Sequence, residues 1–128
     1  MHHRIFLFGE AERGDFCKPV LCRTLPQLAE IFGNPPEETQ GIFYAVQTLL
    51  HQRELVFFRV KEEGFSKEDY FKGLKILDQR KDLSINLIAI GLPGVGDGEI
   101  IQAATPLCSK HKSMLLLSEK DLYDFLTH

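Results

Sequence analysis

The chain alternates between short, dense apolar runs and longer stretches in which apolar residues recur every three or four positions. Runs of the first kind predict strands buried in a sheet, and stretches of the second predict amphipathic helices. Five runs qualify as strands: 4–9 (RIFLFG), 19–23 (PVLCR), 55–60 (LVFFRV), 85–90 (INLIAI) and 114–117 (MLLL). The 85–90 run is almost continuously apolar, as expected of a strand near the centre of a sheet covered on both faces.

The helices are delimited by their caps. Thr24 as N-cap, Pro26 in the first turn and Gly33 as a stop enclose a helix with Leu25, Leu28, Ala29 and Phe32 on one face. A second helix opens at Glu37, Glu38 and Thr39 and runs to about Gln52, with Ile42, Phe43, Val46, Leu49 and Leu50 as its apolar face. Ser66-Lys67-Glu68-Asp69 resembles a capping box with Asp for the usual Glu, and opens a helix carrying Tyr70, Phe71, Leu74 and Leu77 on one side. The next spans 99 to about 110, and Pro106, lacking an N–H, is expected to kink or restart it. Ser118 caps a closing helix with Leu122, Phe125 and Leu126 inward.

The resulting order is β-β-α-α-β-α-β-α-β-α. Strand and helix alternate from Leu55 onward, which implies right-handed crossovers. The expected fold is one α/β domain over residues 1–128, a three-layer structure with a largely parallel or mixed five-stranded sheet flanked by helices. Composition agrees: 44% hydrophobic and 26% charged residues suit a globular chain, and no repeat, low-complexity segment or linker interrupts it. Fifteen Lys and Arg against 18 Asp and Glu leave a net charge of -3, so nucleic acid is not an expected partner. No apolar run approaches the ~20 residues of a membrane span, and the first run is too short for the core of a secretion signal. Cys17, Cys22 and Cys108 are an odd number without CxxC spacing, which points to reduced thiols in a cytoplasmic protein.

Candidate chemistry is sparse. The glycine-rich loop 91–98 (GLPGVGDG) follows a strand and opens a helix, where free N–H groups favour an anion. It matches neither GxGxxG nor a Gly-Lys-Ser/Thr phosphate loop, and Asp97 adds negative charge where an anion would sit. Its plain reading is a turn with Asp97 starting the helix. Arg59 lies within an apolar strand, and an unpaired buried charge is costly. Either Glu10 or Asp97 pairs with it, or it occupies the strand's exposed end. Gly94, Gly96, Asp97 and Arg59 are therefore the candidate ligand-binding residues. Glu10, Glu12, Arg13 and Asp15 cluster after the first strand, as acid, base or metal ligands or as solvated loop charges. Cys17 has no identifiable base, no GxSxG elbow is present, and His51, His111 and His128 lack metal-ligand spacing. No catalytic residue, metal site or cofactor is expected.

Read as a whole, the chain resembles contractile tail sheath proteins of phages and related injection systems. The residues that carry the resemblance are Ile5-Phe6-Leu7-Phe8-Gly9, Arg13-Gly14, Pro19-Val20-Leu21, Ile31-Phe32-Gly33, Tyr44-Ala45-Val46 and Phe57-Phe58-Arg59-Val60. In the second half, Gly73-Leu74, Asn86-Leu87-Ile88-Ala89-Ile90, Leu92-Pro93-Gly94 and Met114-Leu115-Leu116-Leu117 continue it in order. His51-Gln52-Arg53-Glu54 stands where the family has an Asn-Gly-Gly turn, and residues 61–65 stand in place of its inserted outer domains. The family's C-terminal arm has no counterpart. The resemblance thus implies a minimal sheath-like core, a structural subunit acting through protein partners or self-assembly, away from membranes. The alternative expectation is a small ligand-binding or regulatory domain that uses loop 91–98 for a nucleotide or other anion.

Overall fold

The computed structural model describes residues 3–127, which leaves His2 and His128 outside it. The elements follow in the order β1 (Arg4–Gly9), β2 (Pro19–Cys22), α1 (Leu25–Phe32), α2 (Gly41–Leu50), β3 (Glu54–Arg59), α3 (Lys67–Gln79), α4 (Lys81–Ser84), β4 (Leu87–Gly91), α5 (Gly98–His111), β5 (Met114–Leu116) and α6 (Glu119–Leu126). The five strands form one sheet in the order β2-β3-β1-β4-β5. Four of them are parallel, and β2 is an antiparallel edge strand on β3. Helices cover both faces: α1, α2 and α6 pack on one, α3, α4 and α5 on the other. This is the expected three-layer α/β arrangement.

The central strand is β1, and β4, which holds most of the 85–90 run, lies beside it in the interior of the sheet as expected. From β1 the chain moves to β3 through α1 and α2, then crosses back over β1 through α3 to reach β4. That reversal fixes β1 between them. Ile5 and Leu7 point into one core layer and Phe6 and Phe8 into the other, all four fully buried. Phe8 stacks on Tyr70 with ring centroids 5.1 Å apart and tilts against Phe58 at 5.2 Å. β4 begins only at Leu87, because Asn86 adopts φ +58 and Ile85 is left 59% exposed. Asn tolerates this left-handed conformation better than most residues.

The caps at Thr24 and Ser118 form as expected, each closing a full capping box, with Gln27 and Asp121 respectively. Ser66 does not cap α3. Its hydroxyl instead donates to the Glu62 carbonyl at 3.0 Å, while Asp69 turns back to accept from the Lys61 N–H at 2.9 Å. α2 starts at Gly41 and buries a different face from the expected one. Tyr44, Ala45 and Thr48 join Ile42 inside, whereas Phe43 and Leu50 are 53% and 56% exposed. Two contacts explain the rotation. Gly41 must face β1 at close range, and the Thr48 hydroxyl donates to the Tyr44 carbonyl at 2.8 Å, so this polar side chain is buried without an unmet hydrogen bond. α5 runs through Pro106 without a restart and ends at Lys112, in the left-handed conformation. No helix of the described residues is long and apolar enough to cross a membrane.

Candidate functional site at the carboxyl ends of the strands

In an open α/β sheet, ligands sit beyond the carboxyl ends of the strands where the strand order reverses. Here that place lies over β1, between the loops 10–18, 60–66 and 92–97 and the start of α2. It is filled by the protein itself. A Cβ added to Gly9, the last residue of β1, would lie 2.8 Å from the Gly41 Cα, so strand and helix touch backbone to backbone. Only glycine at both positions allows this approach.

The remaining space holds the side chain of Glu63. Its Oε1 accepts from the N–H groups of Glu10 and Gly41, each at 3.0 Å, and its Oε2 accepts from the Gln40 N–H at 2.7 Å. Glu10 reciprocates, its Oε2 accepting from the Glu63 N–H at 2.9 Å. Glu63 is only 9% exposed. Burial pushes its carboxyl above the ordinary value and the charge of Glu10 adds to that, while the Gln40, Glu10 and Gly41 N–H groups pull the other way. The unpaired N–H groups at a helix start attract anions. The chain supplies that anion from within, and the position a phosphate or carboxylate ligand would take is occupied.

The glycine-rich loop closes the crevice from the β4 side. Gly64 and Gly94 face each other, both with positive φ, and a Cβ on Gly64 would fall 2.4 Å from the Gly94 carbonyl oxygen. The buried Tyr70 hydroxyl accepts from the Gly64 N–H at 2.7 Å, and burial holds that phenol far above its ordinary value. Of the four candidate residues, Gly94 is exposed, leaves room for a Cβ and turns the loop at φ +78, with its carbonyl against Gly64. Gly96 is exposed, and a Cβ there would meet nothing within 4 Å. Asp97 is the N-cap of α5, accepting from the Glu99 N–H at 2.8 Å and pairing with Lys67 at 3.2 Å. The Glu99 N–H and Lys67 hold its carboxyl below the ordinary value. Arg59 pairs with neither Glu10 nor Asp97. Half-buried at the end of β3, it lies 3.9 Å over the Phe16 ring and donates to the Gly14 carbonyl.

The loop carboxylates are likewise committed to local structure. Glu12 accepts from the Asn34 N–H at 2.9 Å, and Arg13 donates to the Glu30 and Ala29 carbonyls at the end of α1. The Cys17 thiol is raised by burial and by its hydrogen bond with Asp69, the reverse of an activated nucleophile. Burial also raises Cys108, and lifts Cys22 to about 11. Among the described residues no group of three His, Cys, Asp or Glu is placed to hold a metal ion.

Two features escaped the sequence. Glu63 sits in a stretch that reads as a charged connection, and only its place beside Gly64 just after a strand hints at a role. The second is a groove of about 490 Å³ between α2 and α6, lined by Phe43, Tyr44 and His51 on one side and Glu119, Tyr123 and Leu126 on the other. Burial raises the Tyr44 phenol to about 12, so it stays neutral at physiological pH. Phe43 and Tyr123, 53% and 66% exposed, form the rims. Compared with known proteins, the chain matches no family model, no curated protein and no solved structure, so its role has to be argued from the filled crevice and the open groove.

Proposed function

We propose that this chain is a structural subunit resembling the core of a contractile tail sheath, and that it acts through protein–protein assembly. The observation that carries this reading is the contrast between its two concave regions. The crevice where an α/β enzyme would bind its substrate is packed with glycine backbone and Glu63. The open groove is rimmed by exposed aromatic side chains. Aromatic residues are enriched where proteins meet, because they bury large areas at small entropic cost. The apolar rim of α2 and α6 is therefore the surface on which assembly would act. The ligand-binding alternative gains no support, since the Gly94 carbonyl lies against Gly64 and Asp97 caps α5 and pairs with Lys67.

The test is electron microscopy with light scattering, on the chain alone and mixed with candidate tail-tube proteins. Ordered assemblies or a stable complex are expected, and monomers under every condition would remove the reading. A thermal-shift screen addresses the alternative: saturation at 100 times a ligand's Kd stabilises by about 2.7 kcal/mol, and no such shift is expected with nucleotides.

A further inference from the structure

Resting on the assembly reading above and giving it a direction, we infer that copies of this chain stack head to tail. The carboxyl end of the sheet in one copy meets the amino end in the next.

The inference follows from where the topology puts the charges. β1, β3, β4 and β5 are parallel, α2, α3, α5 and α6 run back against them, and β2 and α1 reverse both directions. Every loop and helix end therefore belongs to one end of the sheet or the other. Segments 10–18, 29–44, 59–70, 92–101 and 117–122 lie at the carboxyl end and hold fourteen Asp and Glu against six Lys and Arg. Segments 3–4, 23–28, 47–54, 76–87, 108–114 and 123–127 lie at the amino end, with seven Lys and Arg against four Asp and Glu. The two ends thus carry -8 and +3, and Lys72 and Lys75, midway along α3, complete the total of -3. Helix dipoles lessen this polarity, but at about half a charge per helix end they leave its sign unchanged.

Much of this charge has no partner within the chain. At the carboxyl end Glu37, Glu38, Glu62, Glu68 and Glu119 are exposed and, among the described residues, in no salt bridge. The same holds at the amino end for the exposed Lys81 and Lys112 and the half-buried Arg53. Like ends repel, so a two-fold contact through either end is disfavoured and only unlike ends attract. A contact between two different surfaces leaves each copy with one end free, so it repeats until the row closes or runs on as a filament. Both ends also offer apolar surface to the contact. Phe65 is 72% exposed at the acidic end, and Leu50, Ile85 and Met114 are each more than half exposed at the basic end. α2 and α6 run from one end towards the other, so their groove stays on the flank of the stack.

Light scattering and sedimentation velocity of the full chain at neutral pH test the inference. At about 0.1 M salt, where charges act over ~10 Å, the mass should grow past that of a dimer as concentration rises. At about 1 M salt, where they act over ~3 Å, it should fall. Glu37→Lys with Glu38→Lys blunts the acidic end, and Lys81→Glu with Lys112→Glu the basic end. Each pair should weaken association by about tenfold or more, and circular dichroism melts check that both variants fold. Mixing the two variants should give dimers and nothing larger, because each retains one unaltered end and those two ends match. A wild-type chain that stays monomeric up to about 1 mM at the lower salt overturns the inference. So does an assembly that stops at a dimer, or one indifferent to salt and to both variants. A chain that is monomeric alone but binds a tail-tube protein sinks the stacking and leaves the assembly reading standing.

Discussion

Replacing Glu63 by Gln keeps the shape of the side chain and changes one atom that matters. The amide oxygen can take the place of Oε1 and keep the two 3.0 Å bonds from the Glu10 and Gly41 N–H groups. The NH2 group then faces the Gln40 N–H where Oε2 had accepted at 2.7 Å, donor against donor. Leaving the buried Gln40 N–H without an acceptor costs ~1–3 kcal/mol, and the charge adds nothing to this, because burial already disfavours the ionised carboxyl. The expected loss is therefore about 1–3 kcal/mol for Glu63→Gln. Glu63→Ala strands all three donors and should cost roughly 3–5 kcal/mol, near the top of the range for single substitutions. Urea titration reads this directly. The midpoint should fall by about 1–2 M for Gln at a slope typical of a small protein, with the slope unchanged. A Gln variant within ~0.5 kcal/mol of the wild type would refute the reasoning, because the carboxylate would then not be holding the crevice closed.

Gly41→Ala places a Cβ 2.6 Å from Glu63 Oε1 and 2.8 Å from the Gly9 Cα, and should cost ~1–3 kcal/mol by the same titration. Gly96→Ala meets nothing within 4 Å, and should stay within ~0.5 kcal/mol. Tyr70→Phe deprives the Gly64 N–H of its acceptor; a loss of about 1–2 kcal/mol is expected, with faster hydrogen exchange at Gly64. Glu54 bonds Arg4 at 3.0 Å and Arg23 at 2.8 Å; burial alone would raise its carboxyl, but these hydrogen bonds hold it below the ordinary value of 4.5. The unfolded chain then takes up the proton first, so the stability from Glu54 is complete above pH 4.5 and lost as pH falls through the lowered value. Glu54→Gln should flatten that acid limb in a series of urea titrations, and an unchanged limb would contradict the assignment.

What was legible in the sequence is what local patterns determine. The five strands, the alternation from Leu55 on, and the caps at Thr24 and Ser118 depend on residues close together in the chain. The misread features depend on distant partners. The 85–90 run is the more continuously apolar of the two, and only the crossover of α3 decides that 4–9 takes the centre, with β4 beside it. By hydrophobicity alone Phe43 and Leu50 fall on the core face, whereas Gly41 has to meet Gly9 and so turns the helix. Asp97 was legible as a helix start, since an N-cap is a local device. The partner of Arg59 was not, because the Phe16 ring, in the loop after β1, takes the place expected of a carboxylate. Glu63 looked like any solvated charge, since nothing beside it reveals three N–H donors arriving from other segments.

The Glu63 carboxylate also bears on the order in which the chain folds. It joins Glu10, 53 residues away, to Gln40, 23 residues away, and its cradle exists only once β1 and β3 are paired and α2 lies across Gly9. Contacts of that kind are expected to form after the rate-limiting step of folding. Disturbing them leaves the refolding limb of a chevron in place and steepens the escape from the native state. Glu63 is then expected to act as a latch, its replacement by Gln speeding unfolding while the refolding rate in a chevron stays unchanged.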